Sequence, residues 1–250
     1  MRQHATSEDI MGFYEQLSGY YDEIFKPGQG ELDFIAERLG RPEALLDIGC
    51  GTGNKTVLFS GTAKNITAFD ADKTMIELAR LRHGAPNITY LTLDMRDIGT
   101  SFAPASFNAA LCLGNTLVHL VNLQAMQAAI AAVCGVLKPG GIFALQILNY
   151  ARILDRNITA LPPLESAGVR FIRTYSRSGE FGELLDFNTE LHVPGGKGPL
   201  CNSVQLYPLR PEALEAMLRA GGFGQVELYG DFGGEKLSEE SFVTIALCRK

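Results

Sequence analysis

Three glycines at alternate positions follow a short apolar run in the sequence Ala-Leu-Leu-Asp-Ile-Gly-Cys-Gly-Thr-Gly, residues 44–53. A buried strand that ends in a glycine-rich turn is typical of open α/β sheets that bind a nucleoside cofactor. Asp47 stands two residues before the first glycine. A carboxylate there repels a pyrophosphate but attracts the ammonium group of a methionine-like tail. The pattern therefore predicts S-adenosylmethionine as the cofactor, bound by Asp47 and by the loop residues Gly49, Cys50, Gly51, Thr52 and Gly53.

The main alternative for this loop is a dinucleotide site, as in an NAD-dependent oxidoreductase. The dinucleotide fingerprint G-x-G-x-x-G requires a third glycine at residue 54 or 56, where this chain has Asn54 and Thr56. The spacing G-x-G-x-G at residues 49, 51 and 53 is complete instead. Two further alternatives stay open, namely a glycine turn without a ligand and a cofactor-binding protein without turnover.

Two further carboxylates end apolar segments downstream of this loop. Asp70 follows the loop by about 20 residues, the position from which a carboxylate binds ribose hydroxyls, and Ala71 and Met75 would border the sugar and the adenine. Asp94 is expected to accept the exocyclic amine of adenine, with Met95 covering the ring. For both carboxylates the alternative is a purely structural role, as a helix cap or turn cap.

A fourth segment ends in Gly114, which lets the backbone approach the sulfonium closely because glycine has no side chain. Leu113 precedes it as a further cofactor contact, and Asn115 is predicted to project over the reaction centre. His119 is the best candidate for a general base. The alternative for His119 is a ring that is hydrogen-bonded within the wall of the protein.

Strands and helices alternate from residue 44 to residue 148, which predicts a parallel sheet with right-handed crossovers. The predicted strands are 44–48, 65–70, 87–93, 107–113 and 141–148, and the predicted helices are 53–60, 73–82 and 122–137. Three antiparallel strands at 168–176, 182–193 and 200–207 should follow, and then a helix at 211–221 and strands at 224–230 and 241–249. Residues 150–207 are thus a predicted β insertion that caps the site, and residues 7–40 predict two amphipathic helices.

These motifs resemble those of class I S-adenosylmethionine-dependent methyltransferases over residues 40–250. Leu-Asp-Ile-Gly-Cys-Gly-Thr-Gly, Phe-Asp-Ala-Asp and Leu-Lys-Pro-Gly-Gly are the shared motifs. Gly114-Asn115-Thr-Leu-Val-His119-Leu and Asn149-Tyr150-Ala-Arg152-Ile-Leu154 are similar to segments of glycine and sarcosine N-methyltransferases. The resemblance implies a Rossmann-like seven-stranded sheet in the order 3-2-1-4-5-7-6 with the last strand antiparallel. It also implies a helical lid at residues 1–40 ahead of a methyltransferase domain at 41–250.

The same resemblance indicates which residues bind the methyl acceptor. Leu148 replaces the arginine that holds the substrate carboxylate in glycine N-methyltransferases, and Phe187 replaces a tyrosine of that pocket. A less charged or larger acceptor than glycine is therefore expected. Val169, Phe171, Arg173 and Tyr175 share one face of a predicted strand, and Arg173 is a candidate anchor that replaces the missing arginine. The remaining candidates are Asn115, Tyr150 and Tyr207 for the acceptor and Tyr21 of the lid for the methyl path.

Composition limits the classes of partner. The formal net charge is −6, so nucleic acid is not an expected ligand. No apolar run reaches the roughly 20 residues of a membrane span, and no signal peptide is recognisable, so a cytoplasmic location is expected. The five cysteines and four histidines are dispersed, which favours reduced thiols and no metal site. A small-molecule acceptor is the expected partner, and the β insertion is a candidate contact for an oligomer.

Overall fold

The computed structural model describes residues 19–166, 168–180, 182–196 and 198–250, so the predicted helical residues 7–18 lie outside the described part. Residues 19–24 are helical. The strands are β1 (Ala44–Ile48), β2 (Asn65–Asp70), β3 (Ile88–Thr92), β4 (Phe107–Cys112), β5 (Leu137–Leu148), β6 (Ala160–Ser166), β7 (Val169–Ser178), β8 (Leu184–His192), β9 (Leu200–Leu206), β10 (Gln225–Tyr229) and β11 (Val243–Arg249). The helices are α1 (Gln29–Leu39), α2 (Lys73–Arg82), α3 (Ile98–Ser101), α4 (Leu123–Val136), α5 (Tyr150–Asp155) and α6 (Pro211–Ala220).

The larger sheet has seven strands in the order β3-β2-β1-β4-β5-β11-β10. Strands β1 to β5 pair in parallel with one another, whereas β11 is antiparallel to both β5 and β10. Numbered as the strands of this sheet alone, the order is 3-2-1-4-5-7-6 with the last strand reversed. The predicted fold class is therefore confirmed, and the carboxyl ends of β1, β2 and β4 meet at one edge of the sheet.

Side chains of β1 alternate between the two faces of this sheet. Leu46 and Ile48 join the core cluster that includes Met126 of α4. Leu45 joins the cluster on the opposite face, which includes Ile35 of α1. Asp47 shares the face of Leu45 because the side-chain period of a strand is two. The strand therefore delivers its one charged side chain, buried, to the face on which α1 and the glycine loop lie.

The glycine loop after β1 leads into a short 3-10 helix at Thr56–Phe59 and not into the α-helix predicted over 53–60. Gly53 has φ +77°, which lies in the left-handed region and is incompatible with the first residue of a right-handed helix. The predicted start at residue 53 is therefore wrong, because the turn that shapes the loop extends through Gly53.

The insertion forms a separate four-stranded antiparallel sheet in the order β6-β7-β8-β9. Three of these strands correspond to the prediction, and β6 was not expected. It contains Pro162 and Pro163, which lack an N–H and fit only an edge strand or a bulge. β6 is indeed an edge strand, and its register shifts between Leu161 and Leu164 around the two prolines. None of the described helices is long and apolar enough to cross a membrane.

Both sheets and the N-terminal helix meet around the loops at the carboxyl ends. Tyr175 and Leu206 of the smaller sheet belong to the same core cluster as Val118 of the larger unit. The Tyr207 amide donates to the Val118 carbonyl at 2.9 Å. Ile24 of the N-terminal helix packs with Phe171 of β7. The insertion and the N-terminal helix are therefore both packed over this edge of the sheet.

Candidate active site

Glycine is required at two positions of the loop after β1 by close contacts as well as by backbone conformation. Gly49 has φ +70°, and a Cβ there would lie 2.3 Å from Thr116 Cγ2. A Cβ at Gly53 would lie 2.5 Å from the Tyr90 hydroxyl. Any side chain would displace a neighbour in addition to the strain of a left-handed backbone. The loop is thus held against the segment after β4 on one side and against β3 on the other.

The backbone N–H groups at the start of this loop already have protein acceptors. The Gly49 and Cys50 amides donate to the Phe69 carbonyl at 2.8 and 3.0 Å. The Gly51 amide donates to Asp70 Oδ2 at 2.9 Å. A phosphate at this turn would need those N–H groups. These bonds, together with two nearby carboxylates, oppose a pyrophosphate and suit a ligand that brings a cation and hydroxyl groups.

Asp47 is only 6% exposed. The Thr56 hydroxyl donates to Asp47 Oδ2 at 2.6 Å. Burial raises the pKa of Asp47 to about 6, opposed by the Thr56 hydrogen bond and by the positive charge of Lys55. Such a carboxylate is ionised at neutral pH at an energetic cost, and an added cation would relieve that cost. Recognition of an ammonium group by Asp47 fits this environment and stays a prediction.

Asp70 ends β2 and faces the glycine loop. Its carboxylate accepts from the amides of Gly51 and Asp72, each at 2.9 Å. Desolvation raises the pKa of Asp70, and these backbone hydrogen bonds oppose that rise. An ionised carboxylate offers about four lone-pair directions, so acceptor capacity is left for the hydroxyls of a ribose. Next to it, Ala71 is exposed, and Met75 is buried at the first turn of α2.

Asp94 is engaged locally as a turn cap, and its carboxylate has an arginine partner that the sequence did not reveal. Its carboxylate caps the short 3-10 helix Met95–Asp97 through the Arg96 amide at 2.9 Å. It also accepts from the Arg96 guanidinium at 2.9 and 2.6 Å. Hydrogen bonds and the charge of Arg96 lower the pKa of Asp94. This geometry matches the turn-cap alternative, and the adenine role of Asp94 and Met95 stays a prediction.

Two consecutive left-handed residues follow β4, with Gly114 at φ +75° and Asn115 at φ +70°. Leu113 is buried before them. The amides of Gly114 and Asn115 donate to the side-chain and main-chain oxygens of Gln146 at 2.8 and 3.1 Å. Asparagine tolerates this backbone region better than most residues. These bonds fix the end of β4 to β5.

The amide side chain of Asn115 connects this turn to α5. Asn115 Nδ2 donates to the Tyr150 hydroxyl at 2.9 Å, and the Leu148 amide donates to Asn115 Oδ1 at 3.0 Å. Tyr150 is fully buried, and burial raises the pKa of its phenol well above the usual range. The structure therefore brings together Asn115 and Tyr150, with Tyr150 supporting the amide from within the core.

His119 ends the 3-10 helix Leu117–His119 and is exposed. Desolvation by the surrounding protein nevertheless lowers the pKa of its imidazole. A side chain in a recess of the surface satisfies both observations. None of the described residues hydrogen-bonds the ring, so a neutral imidazole is available there as a proton acceptor.

The helical segment 19–24 contacts the glycine loop directly. The Tyr21 ring lies over Gly51, with its hydroxyl 3.3 Å from the position of a Cβ on that glycine. The Thr52 hydroxyl donates to Asp22 Oδ1 at 2.5 Å, and His83 Nε2 lies 3.0 Å from Asp22 Oδ2. Sequence reasoning selected Tyr21 and missed Asp22, because nothing near residue 22 indicates a partner 30 positions away.

The candidate acceptor-binding residues on the insertion have partners within the insertion and in the segment after β4. Arg173 Nη2 of β7 donates to the Pro162 carbonyl at 2.7 Å, and desolvation lowers the pKa of Arg173. Tyr207 is half-buried and bonded through its backbone to Val118. Tyr175 is buried with its ring 5.4 Å from that of Phe187. Among the described residues, no group of three or more His, Cys, Asp or Glu side chains is arranged to hold a metal ion.

Comparison with known proteins matches residues 45–141 to a methyltransferase domain family. A glycine/sarcosine N-methyltransferase of Halorhodospira halochloris is 25% identical over 233 residues, covering 92% of this chain and 84% of that protein. A ubiquinone biosynthesis O-methyltransferase of Xanthomonas campestris is 31% identical over 121 residues, covering 47% of this chain and 48% of that protein.

A solved structure extends the likeness to the whole fold. CalS10, an amino pentose methyltransferase from Micromonospora echinaspora solved with S-adenosylmethionine bound, superposes with a TM-score of 0.68 at 22% identity, covering 94% of this chain and 97% of that one. These findings favour S-adenosylmethionine over the dinucleotide alternative and confirm the predicted family and cofactor. The matched domain, these relatives and this fold together support a class I S-adenosylmethionine-dependent methyltransferase.

Proposed function

We propose that this enzyme transfers a methyl group to a nitrogen or an oxygen atom of a small molecule by in-line displacement. S-adenosylmethionine supplies a methyl group already activated by the positive charge on its sulfur. The protein then acts mainly by aligning and desolvating the acceptor atom, effects that contribute about 7–11 kcal/mol in favourable cases. Relatives that carry N-methyltransferase and O-methyltransferase names support both kinds of acceptor.

The observation that carries this proposal is the position of the Asn115 amide. Asn115 is fixed by hydrogen bonds to Leu148 and Tyr150. Thr116, the next residue, contacts Gly49 of the glycine loop. In the proposed mechanism the Asn115 amide orients the acceptor next to the methyl group, and Tyr150 holds that amide in position.

His119 is the candidate that separates nitrogen from oxygen acceptors. A neutral amine has a free electron pair and needs no strong base, whereas a hydroxyl group benefits from proton removal. The lowered pKa of His119 keeps the ring neutral at physiological pH. We therefore assign His119 the role of general base for a hydroxyl acceptor, while an amine acceptor would need only Asn115.

The N-terminal segment and the insertion complete the proposed site by excluding water. Tyr21 covers Gly51, and Phe25 of the same segment packs edge to face on Phe171 of β7 at 5.6 Å. In this proposal residues 1–40 act as a lid and residues 150–207 as a cap over the acceptor. A cytoplasmic location and an oligomer contact through the insertion stay predictions.

Methyl transfer can be tested with deuterated S-adenosylmethionine, a panel of amines and hydroxyl compounds, and mass spectrometry of the products. Asn115→Gly is the informative variant, because glycine adopts φ +70° without strain and only the amide is removed. We expect it to lower kcat by tenfold or more, while Asn188→Ala on β8 leaves kcat unchanged. Binding of S-adenosylhomocysteine without turnover on any acceptor would contradict the proposal and favour a protein that only binds the cofactor.

A further inference from the structure

Strand β7 carries two buried hydrogen-bond donors that lack an acceptor among the described residues. They are the Tyr175 hydroxyl and Arg173 Nε. Tyr175 is only 5% exposed. Buried donors in native proteins are satisfied in the great majority of cases, so each exception calls for an explanation. Two such donors two residues apart on one strand lie on the same face of the sheet.

The positive charge of Arg173 has no ion-pair partner among the residues that the structure describes. No carboxylate in the described part of the chain lies within 4.0 Å of its guanidinium, and its one hydrogen bond goes to the neutral carbonyl of Pro162. Arg170 and Arg210, by contrast, pair with Glu165 and Asp155. A desolvated guanidinium is stabilised best by an oxyanion that accepts its N–H groups in the plane.

The two donors lie beside the proposed reaction centre. Tyr175 packs in the same core cluster as Tyr150, the residue that holds the Asn115 amide, and Arg173 lies two residues before Tyr175 on β7. The Tyr175 ring packs on Phe187 at 5.4 Å. This packing places Tyr175, and with it the neighbouring Arg173 on the same face of β7, on the side of the core that holds Tyr150 and Asn115.

We propose that Arg173 and Tyr175 form a subsite for an oxyanionic group of the methyl acceptor, a carboxylate or a phosphonate, and thereby select acceptors that carry such a group. The inference rests on the proposed function, because it assigns the pair to the acceptor of that reaction. The oxyanion would accept from the Tyr175 hydroxyl and from the Arg173 guanidinium, and Phe187 would border it on the apolar side.

The test uses titration calorimetry to measure how tightly acceptor analogues bind to the enzyme with S-adenosylhomocysteine already bound. The probes are two matched sets: 4-aminobenzoate, 4-aminobenzamide and 4-aminophenylphosphonate, and sarcosine, sarcosinamide and N-methylaminomethylphosphonate. We expect an oxyanion in at least one set to bind more than tenfold tighter than its neutral amide. Comparing the affinities of the carboxylate and the phosphonate within each set shows which of the two groups the subsite prefers.

Variants then test whether Arg173 and Tyr175 of β7 cause the tighter binding of the oxyanion. Arg173→Gln should weaken binding of the oxyanionic probe at least tenfold and leave binding of the neutral amide unchanged. Arg173→Lys should lose less affinity for the oxyanionic probe, because lysine keeps the positive charge. Tyr175→Phe should weaken the oxyanion three- to tenfold. The matched controls Arg177→Gln, on the exposed end of the same strand, and Tyr229→Phe, on the half-buried edge strand β10, should leave the binding of every probe unchanged.

Thermal unfolding without ligand separates a binding role from a structural one. Removing an unsatisfied buried hydroxyl should leave the Tm of Tyr175→Phe unchanged or raise it. A lowered Tm with unchanged probe binding would assign the hydroxyl to the fold and overturn the inference. Equal or absent binding of oxyanion and amide in both sets would also overturn it. Failure of S-adenosylhomocysteine to bind, measured first in each titration, would instead contradict the proposed function.

Discussion

The buried carboxylate of Asp47 lets the proposed cofactor recognition be tested by its effect on stability. The rise of its pKa from 3.8 to about 6 in the folded protein corresponds to about 3 kcal/mol. The folded state thus holds this proton more tightly than the unfolded state. Its stabilising effect is complete below about pH 4 and is lost as the pH rises to about 6. Asp47→Asn removes the titration and keeps the side-chain shape.

We therefore expect the unfolding free energy of Asp47→Asn, relative to wild type, to increase by about 2–3 kcal/mol between pH 4 and pH 7. Groups that titrate in both proteins cancel in this difference. An amide N–H left without an acceptor would cost about 1–3 kcal/mol, but that cost does not change with pH. Urea unfolding at several pH values measures the difference directly, and a difference that does not vary with pH would refute the assignment of a raised pKa to Asp47.

Ligand binding tests whether Asp47 recognises the ammonium group of the cofactor. If Asp47 attracts the ammonium group, Asp47→Asn should weaken the binding of S-adenosylhomocysteine about tenfold or more at pH 7.5. This is the scale of a hydrogen bond to a charged group. Methylthioadenosine lacks the amino-acid end and should bind the variant and the wild type equally. Equal weakening of both ligands would show that the substitution disturbs the whole loop, and would remove the ammonium assignment.

Three other substitutions test the rest of the site. Asp70→Ala should weaken the binding of S-adenosylhomocysteine and of methylthioadenosine alike by about 1–3 kcal/mol, because both ligands carry the ribose. The control Asp72→Ala removes the N-cap of α2 and should lower the unfolding free energy by about 0.5–2 kcal/mol without a loss of ligand affinity. Gly53→Ala should lower the unfolding free energy by about 2–3 kcal/mol through backbone strain and the contact with Tyr90, whereas Gly61→Ala, with open space around it, should stay within about 0.5 kcal/mol in the same urea titration. For hydroxyl acceptors, His119→Asn should lower kcat/KM by about 100-fold or more and abolish the fall in wild-type rate below the lowered pKa of His119, as seen in pH–rate profiles.

Each of these substitutions has a result that would count against its premise. Unchanged affinity in Asp70→Ala would remove the ribose assignment. A stable Gly53→Ala would mean that the loop adopts another conformation in solution. A pH profile for hydroxyl acceptors that His119→Asn leaves intact would assign proton removal to another group or to water.

The strands of the larger sheet could be predicted closely because their signal is local. The predictions 44–48 and 65–70 coincide with β1 and β2. Each is a short apolar run between turn residues, and burial on both faces of a parallel sheet requires that pattern. β6 could not be predicted in this way, because Pro162 and Pro163 argue against a strand unless its position at the edge of the sheet is known.

For the site residues, the position in the fold could be predicted from the sequence, but the hydrogen-bond partners could not. Asp47, Asp70 and Asn115 could be selected because each lies within, at or just after the carboxyl end of a strand, and these ends reach one edge of the sheet. The partner of Asp94 was missed although Arg96 is only two residues away. Spacing places a side chain near an edge, but it does not determine which of several nearby donors the side chain will bind.

By itself, the sequence determined that strands and helices alternate around a glycine loop flanked by acidic residues, and hence the class of fold and cofactor. Only the tertiary structure decided that the loop amides are already bonded to Phe69 and Asp70, that Asp22 reaches Thr52, and that Arg173 and Tyr175 keep donors with no acceptor in the described part of the chain. The physical reason is range. Hydrophobic periodicity and turn chemistry act between neighbours in the chain, whereas each of these hydrogen-bonding outcomes depends on groups that packing brings together, or fails to bring together, from distant segments.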